Sequence, residues 1–172
     1  MTGPRLPPNA PDLGALLGPV VRQGVDFVVI GGIAGTALGS SYPSFDLDLA
    51  YARGRANLER LVAALEEIGV SLRGAPADLP FQLDVRSLEN GANFTLVTPY
   101  GDLDILADVA GIRSYDGLRG RAKRHEIGGY EVLVASIDDL IAMKRASGRT
   151  KDKLMLEEYI VIADEQRKAQ EA

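Results

Sequence analysis

Two aspartates one residue apart inside an apolar run, Phe45-Asp46-Leu47-Asp48-Leu49-Ala50-Tyr51, restrict what this chain can become. Side chains on a strand alternate between faces, so Asp46 and Asp48 project from one side while Leu47 and Leu49 enter the core. Two carboxylates held on one face of an apolar strand repel each other and are costly to bury unpaired. A divalent cation removes that cost. Just upstream, Val25–Ile30 is a short apolar run bounded by glycine, which suits a strand buried on both faces. Gly31-Gly32 ends that strand and opens a helix of small residues from Ile33 to about Leu38. The pattern predicts a metal site beside a glycine turn.

Composition narrows the metal. The chain has 172 residues, no cysteine and one histidine, His125. That excludes thiolate sites, disulfides and multi-histidine cages, and leaves oxygen ligands, which favour Mg²⁺ or Mn²⁺. The length suits one domain with a real core. The start, MTGPRLPPNAP, lacks the apolar stretch of a signal peptide, and no later run is long enough for a membrane span. A cytoplasmic protein with no membrane partner is expected. Net charge is −5, yet residues 113–153 hold ten Lys/Arg against six Asp/Glu. A basic segment in an acidic chain suits a phosphate-bearing ligand, and equally suits an unevenly charged surface.

An irregular lead-in over 1–11 is expected, then a core over 12–135 and a helical segment over 136–172. Asp12 can cap a first helix running to about Arg22, although Gly18-Pro19 could kink it or delay its start. Ala56–Ile68 is amphipathic through Leu58, Leu61, Val62, Leu65 and Ile68, and Gly69 ends it. Between 70 and 92, Val70–Leu72 and Phe81–Val85 suit strands. Phe94–Val97 and Leu103–Ala107, joined by Pro99-Tyr100-Gly101, suit an antiparallel hairpin. Ser114–Ala122 suits a short helix. A second hairpin joins Arg124–Ile127 to Tyr130–Val134 through Gly128-Gly129. Ser136 and Asp139 form a capping-box start to a helix reaching about Ala146, and Thr150 caps the last helix.

The candidate residues follow from this layout. Gly31-Gly32 at a helix start offers unobstructed backbone N–H groups to a phosphate, though the same pair also serves a tight strand–helix turn. A dinucleotide fingerprint is excluded, because Gly32 and Gly35 would be its last two glycines and its first would fall on Ile30. Asp104 lies between Leu103 and Ile105 on the second hairpin strand, and Asp102 shares its face nearer the turn. Three acids, Asp46, Asp48 and Asp104, on adjacent strands could bind two Mg²⁺ ions about 4 Å apart, as in-line nucleotidyl transfer requires. Lys144 emerges beside the buried stripe of its helix, where it could meet a triphosphate or simply snorkel at a helix end. Asp152 could orient that lysine. His125, on a hairpin strand, reads as structural.

Ile30-Gly31-Gly32, thirteen residues, Asp46-Leu47-Asp48-Leu49 and then Leu103-Asp104-Ile105 resembles the polymerase-β-type nucleotidyltransferase superfamily. Residues Val134–Asp152, with Lys144 on a helix leading into Arg149-Thr-Lys-Asp152, look like the bacterial branch that includes AbiEii-type and MenT-type toxins. The resemblance implies an α+β nucleotidyltransferase fold: a mixed β-sheet with helices packed around it and a C-terminal helical segment. It implies metal on Asp46, Asp48 and Asp104, and a nucleoside triphosphate at Gly31, Gly32, Ser44, Lys144 and Arg149. Relatives often carry Arg and Thr just before the first acid. Here the chain reads Ser41-Tyr42-Pro43-Ser44-Phe45, and Ser44 stands in for the threonine. The branch further implies transfer of a nucleotide to an RNA acceptor such as a tRNA 3′ end, with an antitoxin protein as partner. A small-molecule acceptor, as in antibiotic-modifying relatives, and a non-catalytic nucleotide-binding module are the alternatives.

Overall fold

The apolar runs on either side of Gly31-Gly32 become neighbouring strands of one mixed sheet. A computed structural model describes residues 10–76, 78 and 83–171, apart from the Lys151 side chain. Helix α1 (Leu13–Arg22) starts where Asp12 Oδ1 accepts the Ala15 N–H at 3.1 Å. It passes through Pro19 without a delayed start. Strand β1 (Phe27–Ile30) leads directly into α2 (Gly31–Ala37), and β2 (Asp46–Tyr51) follows. Helix α3 (Arg55–Ile68) ends at Gly69 in the left-handed conformation, and the edge strand β3 (Ser71–Leu72) follows.

The next element departs from expectation. No strand forms at 83–85, while Phe81 lies outside the described residues. Instead α4 (Val85–Asn90) begins at Asp84, whose Oδ1 accepts from Ser87 N at 2.8 Å. An aspartate three residues before a serine is a cap signal that outweighed a weak apolar alternation. The two hairpins then follow as expected: β4 (Asn93–Thr98) with β5 (Gly101–Leu106), and, after α5 (Tyr115–Arg121), β6 (Lys123–Ile127) with β7 (Tyr130–Val134). Helices α6 (Ile137–Ser147) and α7 (Thr150–Glu171) complete the chain and pack on each other. Among the described residues no helix is long and apolar enough to cross a membrane.

The strand order is β3-β4-β5-β2-β1-β7-β6. Strands β2 and β5 pair in parallel, as do β1 and β7, and the remaining pairs are antiparallel. The architecture is therefore α+β with a mixed sheet. Leu47, Leu49, Leu103 and Ile105 are fully buried, which leaves Asp46, Asp48, Asp102 and Asp104 to the opposite face of β2 and β5.

One side chain aligns the two strands at the centre. Asn57 of α3 is buried, and its Oδ1 accepts from Asp26 N at 2.7 Å. Its Nδ2 donates to the Asp26 carbonyl at 3.1 Å and to the Ala52 carbonyl at 2.8 Å. These bonds tie the start of β1 to the end of β2, and so fix the register that places Asp48 opposite Ile30. Replacing Asn57 with Ala strands the half-buried Asp26 N–H and Ala52 carbonyl, while the Asp26 carbonyl keeps the Ala52 N–H. We expect a loss of about 2–4 kcal/mol in urea unfolding. An unchanged midpoint would show that the register is held elsewhere.

Candidate active site

The β2 and β5 registers place the acids in two rows. Asp46 stands beside Asp102, and Asp48 beside Asp104. Directly opposed residues on neighbouring strands share a face at close range, so all four carboxylates gather on one patch of the sheet. Asp48 shows the electrostatic consequence. Burial, foremost, pushes its carboxyl up to about 8, with repulsion from Asp104 and Asp46 and a hydrogen bond to Asp104 adding to the shift. Lys144 opposes it. A carboxyl pushed up by burial and by neighbouring acids is a functional-site signature.

Gly31 completes the carboxylate patch from the side of β1. Its φ is 71°, in the left-handed region, and a methyl there would lie 2.9 Å from Asp48 Cγ and closer still to Oδ2. Only a residue without a side chain fits. At Gly32 the same construction meets Ser44 Oγ at 2.6 Å, so the Ser44 hydroxyl lies against the second glycine. Ser44 itself precedes β2 rather than lying on it, and its Oγ donates to the Asp46 carbonyl at 3.3 Å.

Lys144 reaches the site from α6. Its side chain is 20% exposed, and Nζ donates to Asp152 Oδ1 at 3.0 Å. Ser147 Oγ donates to the other carboxylate oxygen of Asp152. Burial works against ionisation of Asp152, but the Ser147 hydroxyl and the Lys144 ammonium outweigh it and hold the carboxyl below its usual range. Asp152 therefore fixes where the Lys144 ammonium sits. Arg149 is exposed in the link between α6 and α7, and connects to this group through its influence on Asp152. His125 lies on β6, at the edge of the sheet and away from β2.

Two features escaped the sequence reading. Arg73, just past β3, donates from Nη2 to Asp104 Oδ1 at 2.7 Å, and its Nε lies 3.4 Å from Asp102 Oδ2. The second is a cavity of about 660 Å³ beside Asp46, lined by Ala10, Asp12, Phe45, Pro99, Tyr100 and Asp102 among others. Phe45 and Tyr100, which are 48% and 43% exposed, are among its walls. The sequence places Phe45 beside Asp46 and Tyr100 near Asp102, but there Phe45 read as part of a buried apolar run and Tyr100 as a turn residue. Their convergence depends on the β4–β5 turn folding back toward Asp12, whose N–H donates to the Tyr100 carbonyl at 2.8 Å.

The donor set suits a divalent cation in its chemistry. Asp46, Asp48 and Asp104 supply hard oxygen ligands, and burial together with repulsion from Asp104 and Asp46 raises the Asp48 carboxyl, a cost that a bound cation would offset. As arranged, no group of three or more carboxylate or imidazole side chains among the described residues forms a ready ligand cluster. Asp104 instead turns toward Arg73.

No protein-family model matches the sequence, and no curated protein matches it either. Solved structures do. The lincomycin-bound lincosamide antibiotic adenylyltransferase LnuA is similar at a TM-score of 0.56 and 13% identity, over 86% of this chain and 93% of that one. The antibiotic-resistance factor ANT(2'')-Ia is similar at a TM-score of 0.55 and 18% identity, over 88% of this chain and 80% of that one. The chain has the nucleotidyltransferase fold.

Proposed function

We propose that this protein is a nucleotidyltransferase that moves a nucleoside monophosphate from a nucleoside triphosphate to a hydroxyl of a small molecule. One observation carries this reading: Asp46 and Asp48 on β2 stand in register with Asp102 and Asp104 on β5, with Gly31 pressed against Asp48. Asp46, Asp48 and Asp104 would hold Mg²⁺ or Mn²⁺. Such a cation, when bound, neutralises phosphate charge and makes the acceptor hydroxyl more acidic.

The rest of the chemistry belongs to the chain. Gly31-Gly32 and the Ser44 hydroxyl receive the phosphates on the β1 side. Lys144, steered by Asp152, places an ammonium where charge builds on the departing pyrophosphate. Asp104 accepts the proton of the acceptor hydroxyl. The acceptor oxygen bonds to the α-phosphorus as the bond to pyrophosphate breaks.

The cavity beside Asp46 favours a small acceptor over RNA. It is acidic, through Asp12, Asp46 and, in part, Asp102, whose charge Arg73 partly offsets, and has two aromatic faces. A compact hydroxyl compound bearing positive charge suits it, whereas a polyanionic backbone is repelled. The basic segment over 113–153 offers less than its charge suggests. Arg119 is paired with Asp26, Arg121 with Asp139 and Lys144 with Asp152. The two antibiotic-related neighbours of the same fold point the same way.

Pyrophosphate release from each triphosphate with Mg²⁺, in the presence of amine-bearing hydroxyl compounds or bulk tRNA, tests this reading. We expect release with a small acceptor and a loss of about a thousandfold in Asp46→Ala, the scale for a residue acting on charge in the transition state. Release that depends on tRNA alone would return the acceptor to RNA, and with it the toxin and antitoxin reading.

A further inference from the structure

One contact on the carboxylate patch, between Arg73 and Asp104, has no part in the nucleotidyl transfer described above. Across the sheet, Asp48 stands beside Asp104 and Asp104 beside Thr95, and the Arg73 N–H donates to the Thr95 carbonyl at 3.1 Å. Arg73 therefore continues the row on the edge strand. Its side chain crosses β4 to reach the acids: Nη2 donates to the Leu96 carbonyl at 3.1 Å and to Asp104 Oδ1 at 2.7 Å. Nε lies 3.4 Å from Asp102 Oδ2.

We propose that Arg73 is a built-in counter-cation that competes with the divalent metal for Asp104, holding the site closed until metal arrives. The proposal rests on the metal-binding role given above to Asp46, Asp48 and Asp104. Three observations support it. The guanidinium occupies an oxygen of the acid that metal binding needs. Its seat is incompletely satisfied, because the Nε is shielded from water yet makes no hydrogen bond. That N–H recovers a hydrogen bond to water when the side chain leaves, which offsets part of the cost of releasing Asp104. The side chain is also 32% exposed, on an edge turn with Gly74 next to it, so it has open solvent to move into. Asp102 is the residue that lets Arg73 do this, since its carboxylate steadies the guanidinium without being an expected metal ligand.

Mn²⁺ affinity of the full chain without nucleotide, measured by calorimetry and by the electron-spin signal of free Mn²⁺, tests the proposal. Arg73→Gln is expected to bind Mn²⁺ about tenfold more tightly than the parent, the scale of one charge-assisted hydrogen bond lost as a competitor. Arg73→Lys, which keeps the charge but not the fork that reaches two acids, should fall between them. Thermal unfolding of the metal-free proteins provides a second readout: Arg73→Gln should melt lower than the parent, and added Mn²⁺ should narrow that gap. Equal or weaker Mn²⁺ binding by Arg73→Gln, with binding still lost in Asp48→Asn, would overturn the counter-cation role and leave the metal site standing. No Mn²⁺ binding by any form at millimolar metal would overturn the metal site and this role with it.

Discussion

Asp48→Asn should make the metal-free protein more stable and leave it without transferase activity. Asparagine keeps the shape of the side chain and removes a carboxyl that burial, Asp104 and Asp46 push up to about 8. The folded-state value lies above the ordinary carboxylate range. The stability this group contributes is therefore fully present below about pH 4, and is lost as pH rises from there through about 8. In the parent, the metal-free protein should lose about 5 kcal/mol over that window from this group. Asp48→Asn should abolish that part of the slope. Melting curves from pH 4 to pH 9 check both halves of the expectation. A variant with the parent's slope would mean that Asp48 is not strained by its neighbours. Activity should fall about a thousandfold or more, since Asp48 is an expected metal ligand. A residue whose removal stabilises the fold and stops the chemistry is one that the fold tolerates for function.

Gly31→Ala should be strongly destabilising. Two independent costs meet at this position. With φ at 71°, any side chain is strained by about 1–2 kcal/mol, and the added methyl would press into the Asp48 carboxylate. Together they should lower stability by about 3–4 kcal/mol in urea unfolding, the range of overpacking and backbone strain combined. The double variant Gly31→Ala with Asp48→Ala separates the costs. It should recover the steric part and retain the backbone part. A Gly31→Ala protein as stable as the parent would contradict the close approach of β1 to the carboxylate patch.

Much of this site was legible because it lies in strong local patterns. Asp46-Leu47-Asp48-Leu49 alternates within an apolar run, and burial of Leu47 and Leu49 leaves the two acids one face to share. Gly31-Gly32 marked the strand–helix junction that the structure contains. The hairpin that carries Asp104 followed from its turn and its alternation. What could not be read is what depends on register between distant segments. Arg73 meets Asp104 only because β3 pairs with β4 and β4 with β5, and nothing local to Ser71-Leu72-Arg73 states those pairings. The α4 cap at Asp84 was present in the sequence but lay next to prolines and mixed apolar residues that equally suited a strand. The cavity beside Asp46 draws its walls from Ala10, Asp12, Phe45 and Tyr100, which are far apart in the chain.

The same geometry explains why the acceptor could not be chosen from composition. The positive segment 113–153 suggested a nucleic acid, yet part of its charge is neutralised within the fold by Asp26, Asp139 and Asp152. The negative, aromatic cavity lies beside the expected nucleophile's position, and it was assembled by the turn at Pro99-Tyr100 rather than by any motif. Local charge next to the chemistry outweighs total charge elsewhere, because screening removes most of an interaction beyond about 10 Å.

Transfer of a nucleotide by the carboxylate patch on β2 and β5 would leave its mark on the acceptor. Mass spectrometry of a panel of amine-bearing hydroxyl compounds, incubated with protein, Mg²⁺ and each triphosphate in turn, tests it most directly. The account predicts a compound heavier by one nucleoside monophosphate, formed by the parent and absent with Asp46→Ala or Asp104→Ala. It is contradicted if the parent binds a triphosphate tightly yet leaves every small compound and every RNA unmodified.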